Sequence, residues 1–468
     1  MLRNAAFLLM TEAIVRVASI ALAIVIARTI GPVGYGQYTF ALAFAASAAT
    51  FADFGTGRLL TRTIGHDHNQ AATSLGTIGS LRLTLSLMSY GCAILLAFQQ
   101  PASDHILLLL FIASSTAATL AALCRAVFYG FERMDLDTAT RFLERILATG
   151  GALALIMAGF GLTGLAIAFL IAAILDLATV STLCFKYFAR PSFTTLPAAL
   201  LPTFRTALPL GIFGIILTIS ANTPLYILRA FSSTDSIGQF SAGMTPILAL
   251  IPIPVTVASA ALPTFARLLR TAPEYAQTAF ALLWRLFAIV GFAAAPGAAI
   301  VAIPLIHLVY GNQFAQAGQV LQILSIGLLG IFPTQICVNF LVAMEKQHII
   351  VWIDAISVVW QITIDLILVP QFSFIGAAIG MASSEILVTI LFLWATTRYS
   401  TIPSLTSLAP AIPAALLMAL VAAWVEYHTS WVIAILAGVL LYCSLLFLLR
   451  TVRLTELQQV NALLHHQP

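Results

Sequence analysis

The sequence predicts an all-α polytopic membrane protein of about 14 transmembrane helices: two six-helix lobes and two extra C-terminal helices. Three observations predict it. First, 61% of the 468 residues are hydrophobic and only 8% charged, whereas a soluble domain carries roughly a quarter charged residues. So few charges could not cover a water-facing surface of this size. Second, the apolar residues come in continuous runs of about twenty, the length a helix needs to cross the hydrocarbon core, and not in the ten-residue alternating segments of a barrel. Third, the pattern around the first turn returns about two hundred residues later. Ala27-Arg28, a Gly/Pro turn, Gly36-Gln37-Tyr38 and a new apolar run are echoed by Leu228-Arg229, a Ser/Thr/Asp turn, Gly238-Gln239-Phe240 and another apolar run.

Taken in order, the runs place spans near 7–27, 36–59, 76–98, 105–128, 140–160, 162–185, 207–230, 237–262, 277–303, 316–342, 349–369, 374–396, 406–424 and 431–450. The first is read as a retained helix and not a signal peptide, because Glu12 and Arg16 interrupt its apolar stretch. Gly31, Pro32, Gly34 and Gly36 force a turn before the second. The tail after Arg450 is polar enough to leave the membrane. Sorting the 21 Lys and Arg by side checks this count. Arg28 and Arg229 alone occupy one set of loops, Arg16, Arg82 and Arg285 lie within spans, and the remaining 16 fall on the other side. The positive-inside rule makes that side cytoplasmic, with both termini inside.

The duplication extends further. Leu81-Arg82-Leu83 matches Trp284-Arg285-Leu286, Phe131-Glu132-Arg133 matches Met344-Glu345-Lys346, and Phe160-Gly161-Leu162 with Gly164 matches Phe372-Ser373-Phe374 with Gly376. Six helices per copy, an even number, make these parallel repeats related by an axis along the membrane normal. The expected organisation is therefore a lobe over 1–190, a second over 191–400, two added helices over 401–450 and a cytoplasmic tail over 451–468. Such an architecture is that of a transporter with its substrate path between the lobes.

A charge within a span is costly unless it faces a cavity or a partner. The candidate substrate-binding residues are Arg16, Arg82, Arg141, Arg145 and Arg285. Singly, each has a structural reading: Arg82 and Arg285 snorkelling to headgroups, Arg16 neutralised by Glu12 or Asp53. As a set they would converge on a cationic cleft if the lobes face one another. Only two of the basic residues are Lys (Lys186 and Lys346), and the guanidinium fork suits a bidentate grip on phosphate. Asp53, Asp176, Asp354, Asp365 and Glu385 are candidates for ion coupling or for counter-ions to the arginines. Asp365 and Glu385, with no basic neighbour in sequence, are the better coupling candidates. Arg28 and Arg229 cap helix ends or belong to an outer gate. Prolines in the seventh and eighth spans permit bending. His66-Asp67-His68 reads as a solvated loop and not a metal site.

Other classes are excluded. The net charge of +4 and pI near 8.9 reflect basic loops on a membrane face and not nucleic-acid binding. The five cysteines are scattered through apolar runs with no C-x-x-C, so they read as small hydrophobes. No phosphate-binding loop and no paired nucleophile and base occur, which argues against an enzyme; no cofactor and no metal are expected.

The run Arg28-x-x-Gly31-Pro32-x-Gly34-Tyr35-Gly36-x-Tyr38, followed by Phe51-Ala52-Asp53-Phe54-Gly55 and Arg58-Leu59-Leu60-Thr61-Arg62, resembles the oligosaccharide flippases. These form the polysaccharide-transporter branch of the multidrug/oligosaccharidyl-lipid/polysaccharide exporter superfamily. The resemblance implies two six-helix lobes in a V around a cationic cavity. It further implies flipping of undecaprenyl-diphosphate-linked oligosaccharide units to the outer leaflet of a bacterial cytoplasmic membrane, for O-antigen, capsule or exopolysaccharide synthesis. Partners would be the lipid-linked oligosaccharide, membrane lipids, and polysaccharide polymerase and chain-length machinery. Competing readings are an ion-coupled drug or metabolite antiporter of the same superfamily, which should have an acidic cavity; a lipid II flippase; and a membrane-embedded scaffold or glycosyltransferase subunit.

Overall fold

The computed structural model describes the backbone of residues 2–192, 196–400 and 408–449, with side chains described from residue 19 onward and, after the first break, from residue 200. The 451–468 tail and the first residues of the thirteenth span therefore lie outside the described residues. So does the side chain of Arg16, although its backbone is helical.

The described residues form sixteen α-helices and short 3₁₀ turns: α1 Leu2–Asp53, α2 Thr56–His66, α3 Ala71–Ala97, α4 His105–Gly130, α5 Met134–Met157, α6 Gly161–Tyr187, α7 Leu196–Phe231, α8 Thr234–Leu250, α9 Pro252–Thr271, α10 Pro273–Tyr310, α11 Ala317–Ser325, α12 Leu328–Ala343, α13 Gln347–Phe372, α14 Phe374–Thr397, α15 Ala411–His428 and α16 Trp431–Leu448. Each of the fourteen expected spans overlaps a helix or a broken pair, but the second, expected over 36–59, stops at Asp53, and its last residues turn into α2. Eleven of these segments are long and apolar enough to cross a membrane, or twelve when the bent pair α11–α12 counts as one span. The difference from fourteen has two sources. The first two spans run together as α1, about 78 Å long at 1.5 Å per residue, far more than one bilayer. The backbone breaks at Gly31, at φ 76 and ψ −178, which a residue without Cβ tolerates. And α5 carries Arg141, Glu144 and Arg145 in its first half.

Two expected spans are interrupted. The eighth divides into α8 and α9, because Pro252 and Pro254 withdraw backbone donors just past Ile251. The tenth bends by 46° between α11 and α12. One helix was not expected: α2, eleven residues between the second and third spans.

The chain divides into two compact units, 1–226 and 227–468. Helix α7, which heads the second sequence repeat, thus belongs for most of its length to the first unit. Its contacts explain why: Thr218 and Thr50 share a hydroxyl hydrogen bond of 2.8 Å, the Tyr226 hydroxyl donates to Ser47 at 2.8 Å, and Phe204 stacks on Phe54 with centroids 5.2 Å apart. The core of unit 1 includes Leu60, Ile64, Val127, Phe128, Val180 and Cys184, all buried. That of unit 2 is centred on Phe265, Phe280 and Phe340, whose rings touch at 4.5–5.3 Å.

The duplication is written into the backbone. After α4, Glu132 adopts φ 57 and the Arg133 amide reaches back to the Phe128 carbonyl at 2.8 Å; after α12, Glu345 adopts φ 60 and the Lys346 amide reaches Leu341 at 2.9 Å. Both are Schellman closures on a left-handed residue. Gly161 and Ser373 open α6 and α14 with φ 57 and 52. Gln37 donates to Asp104, just before α4, at 2.8 Å, and Gln239 donates to the Gln313 carbonyl, just before α11, at 3.0 Å.

Candidate functional site

The second half of α1 ends at Asp53, and the chain reverses through Phe54 and Gly55, at φ 43 and 75, into α2. This corner is tight. A Cβ on Gly55 would come within 2.6 Å of Leu210 on α7, and one on Gly211 within 2.6 Å of the Phe54 ring. Locking the corner against α7 aims one face of α2 inward. Arg58, Thr61 and Arg62 lie on that face, a turn apart, while Leu60 and Ile64 are fully buried on another.

Arg58 and Arg62 line a cavity of about 810 Å³ inside unit 1, together with Arg82 of α3, Arg125 of α4 and Arg141 of α5. Asp53 is the one acidic residue in that lining, which also includes the hydroxyl-bearing Thr50, Thr61, Ser115, Thr119, Tyr129 and Thr218. With Asp137 and Asp176 paired to Arg125 and Arg141 behind the wall, five arginines and three carboxylates leave the hollow cationic by two charges.

The arginines are held in three ways. Arg82 is 2% exposed and places Nη1 2.8 Å from Asp53 Oδ1. Arg125, also buried, puts Nη2 2.6 Å from Asp176 on α6 and Nε 3.2 Å from Asp137 on α5. Asp137 in turn accepts from Arg141 Nε at 2.9 Å and from the Tyr129 hydroxyl at 2.5 Å. It thereby ties a buried guanidinium to the half-exposed one beside it. Removing one member of such a buried network strands a charge, at about 3–5 kcal/mol. Arg58 and Arg62 are exposed to the cavity, and no carboxylate among the described residues lies within ion-pair distance of either. Two like charges one helical turn apart repel, so the pair is suited to sharing an anion.

Of the residues singled out from sequence, the structure brings Arg82, Arg141 and Asp53 to this cavity. Asp176 stands behind the wall as the partner of Arg125. Arg145, one turn beyond Arg141, is half-buried and does not line the cavity. Arg285 lies on α10 in unit 2, as do Asp365 on α13 and Glu385 on α14. Asp365 is fully buried, with both carboxyl oxygens lacking a hydrogen-bond partner among the described residues. A Cβ on Gly380 would collide with it, so α14 is cut away there to admit the carboxyl group. Glu385 is half-buried and packs beside Gly327. His68, expected in a solvated loop, stacks on Phe131 at 4.6 Å, with Nε2 3.2 Å from the Gly130 carbonyl oxygen.

Sequence reasoning missed Arg58, Arg62 and Arg125 as members of the cavity, having counted them as cytoplasmic loop charges. The available signal was the Arg58-Leu59-Leu60-Thr61-Arg62 spacing, which puts both arginines on one helical face opposite apolar residues.

A family model described as Polysaccharide biosynthesis protein matches residues 1–269. No curated protein matches the chain. Among solved structures it is similar to the lipid II flippase MurJ in an inward closed conformation, at 15% identity and TM-score 0.76, over 94% of this chain and 98% of that one. It is also similar to an inward-facing multidrug resistance MATE family transporter of the MOP superfamily, at 18% identity and TM-score 0.56, over 83% and 98% of the two chains. A third is a MOP superfamily transporter from Pyrococcus furiosus, described as having reverse polarity of its binding pocket, at 15% identity and TM-score 0.52, over 83% and 96%. At these identities the likeness establishes the fold.

Proposed function

We propose, from the premise that this chain belongs to the polysaccharide biosynthesis protein family, that it flips an undecaprenyl-diphosphate-linked oligosaccharide between leaflets of a bacterial cytoplasmic membrane. The product would serve O-antigen, capsule or exopolysaccharide assembly, with the polysaccharide polymerase downstream. The observation that carries this reading is the cavity of unit 1, with Arg58, Arg62, Arg82, Arg125 and Arg141 in its wall. Moving a diphosphate through a bilayer requires replacing its hydration by fixed cations. Guanidinium groups do this with bidentate geometry and a permanent charge. The hydroxyl-rich remainder of the wall suits the sugar nearest the diphosphate. Alternating access moves the headgroup while the prenyl chain stays in lipid. Asp365 and Glu385 are the candidates for ion coupling.

The test uses cells lacking this protein. They accumulate the lipid-linked repeat unit on the inner leaflet and lose surface glycan, and the wild-type chain restores it. A variant carrying Arg58→Gln, Arg62→Gln and Arg82→Gln inserts normally and restores nothing. Normal surface glycan from that triple variant would end the proposal.

A second reading, a lipid II flippase, is favoured by the likeness to MurJ at TM-score 0.76, and its cargo is also a polyprenyl diphosphate. Rescue of cells depleted of their own lipid II flippase would select it. A drug antiporter for organic cations is opposed by the same five arginines.

A further inference from the structure

We propose that Asp53 is a resident anion in the cargo site: its carboxylate holds the position one phosphoryl group of the cargo takes, and the two exchange. The proposal rests on the cationic-cavity reading above and adds to it the means of loading and release.

Four observations converge on Asp53. Its Oδ2 accepts from the Gly55 amide at 3.2 Å and its Oδ1 from the Gly57 amide at 3.2 Å, at the start of α2. The same Oδ1 lies 2.8 Å from Arg82 Nη1. Amides at a helix N-terminus beside a guanidinium are what a phosphate binds. The carboxylate therefore occupies an anion site and does not merely touch a cation.

Arg82 has capacity left. It lines the cavity and is 2% exposed, yet Nε and Nη1 have no hydrogen-bond partner among the described residues. The contact with Asp53 is an ion pair without hydrogen-bond alignment. A guanidinium offers five donors in a planar fork, and a tetrahedral phosphoryl group can engage donors that one carboxylate leaves idle.

Asp53 is also open to the cavity where the other acids are not. Its side chain is 38% exposed, against 2% for Asp137 and 3% for Asp176. Breaking this pair alone would strand the buried Arg82, so the carboxylate leaves only as an incoming phosphoryl group takes over the guanidinium. Finally, Gly57 leaves the approach open. A Cβ there would sit 3.3 Å from Asp53 Oδ1 and 3.4 Å from Arg82 Nη1, crowding the point of exchange. An empty cavity then keeps Arg82 neutralised, and the returning carboxylate competes the cargo off.

The experiment is calorimetric titration of inorganic pyrophosphate into the purified full-length chain in detergent micelles. Asp53→Asn and Asp53→Ser remove the charge while retaining an acceptor for the α2 amides. Both bind pyrophosphate about tenfold more tightly than wild type, equivalent to about 1.4 kcal/mol. Asp53→Glu returns to the wild-type affinity, and the gain vanishes in Asp53→Asn combined with Arg82→Gln. Unchanged or weaker binding by both variants, with wild type still binding, overturns the exchange and leaves the cavity reading intact. No binding by any variant overturns the cavity reading itself. Failure of both charge-removing variants to fold makes the pair a structural tie and also overturns the exchange.

Discussion

The two units share a folding plan and differ in what they do with charge. Both close a helix on a left-handed glutamate, Glu132 and Glu345, with the same backward-reaching amide, and both tie a helix start to a distant turn through Gln37 or Gln239. Their cavities, however, have opposite chemistry. The hollow in unit 1 is walled by arginines. That in unit 2, about 660 Å³, is walled by Ala, Val, Ile and Leu with Met418, and its Tyr442 hydroxyl is taken up by the Ile289 carbonyl at 2.8 Å. The described ion pairs fall in unit 1, whereas Asp365 in unit 2 is buried without a partner among the described residues. The repeat is thus conserved in its turns, where backbone geometry leaves few solutions, and has diverged on its walls, where each side chain is chosen by what it faces.

The strongest way to break this comparison is through the repeat-related pair of arginines. Arg82→Ala abolishes glycan export, while Arg285→Ala lowers it less than about tenfold, read as surface polysaccharide at matched protein level. Equal losses would mean that charge is used alike in both units. Next in size is stability. Arg125→Ala strands Asp176, leaves Asp137 paired with Arg141 alone, and costs about 3–5 kcal/mol, whereas Asp365→Ala, which removes an unpartnered acid, is neutral or stabilising. Thermal unfolding in detergent separates them. The two glutamines give a finer contrast. Gln239 both donates to the Gln313 carbonyl and accepts from the Ala317 amide at 3.0 Å each, while Gln37 makes the single bond to Asp104. Gln239→Ala therefore costs about 2 kcal/mol and Gln37→Ala about 1 kcal/mol in the same melts. Smallest, and equal in the two units, is the gain from Glu132→Gly and Glu345→Gly. Relieving a left-handed side-chain residue is worth about 0.5–1 kcal/mol in each. Unequal gains would show that the two turns are alike in shape but not in strain.

By itself the sequence determined the membrane class, the placement of the spans and the duplication. Each follows from quantities that are local or periodic. An apolar run of bilayer length must become a helix, because lipid offers the backbone no other hydrogen-bond partner. The Phe131-Glu132-Arg133 and Met344-Glu345-Lys346 motifs marked the same turn twice before either was seen to close. Only the tertiary structure decided which charges share a space. Arg58, Arg62 and Arg125 read as ordinary loop and helix-end cations, because the rule that sorts basic residues by side says nothing about whether they face water, headgroups or a cavity. Their convergence with Arg82 and Arg141 depends on the corner at Phe54 and Gly55 and on α7 lying against it, contacts about 150 residues apart in the chain. Electrostatic partnership is set by distance through space, which no local pattern encodes; for that reason Asp53 was legible as an acid within a motif, but its hold on Arg82 was not.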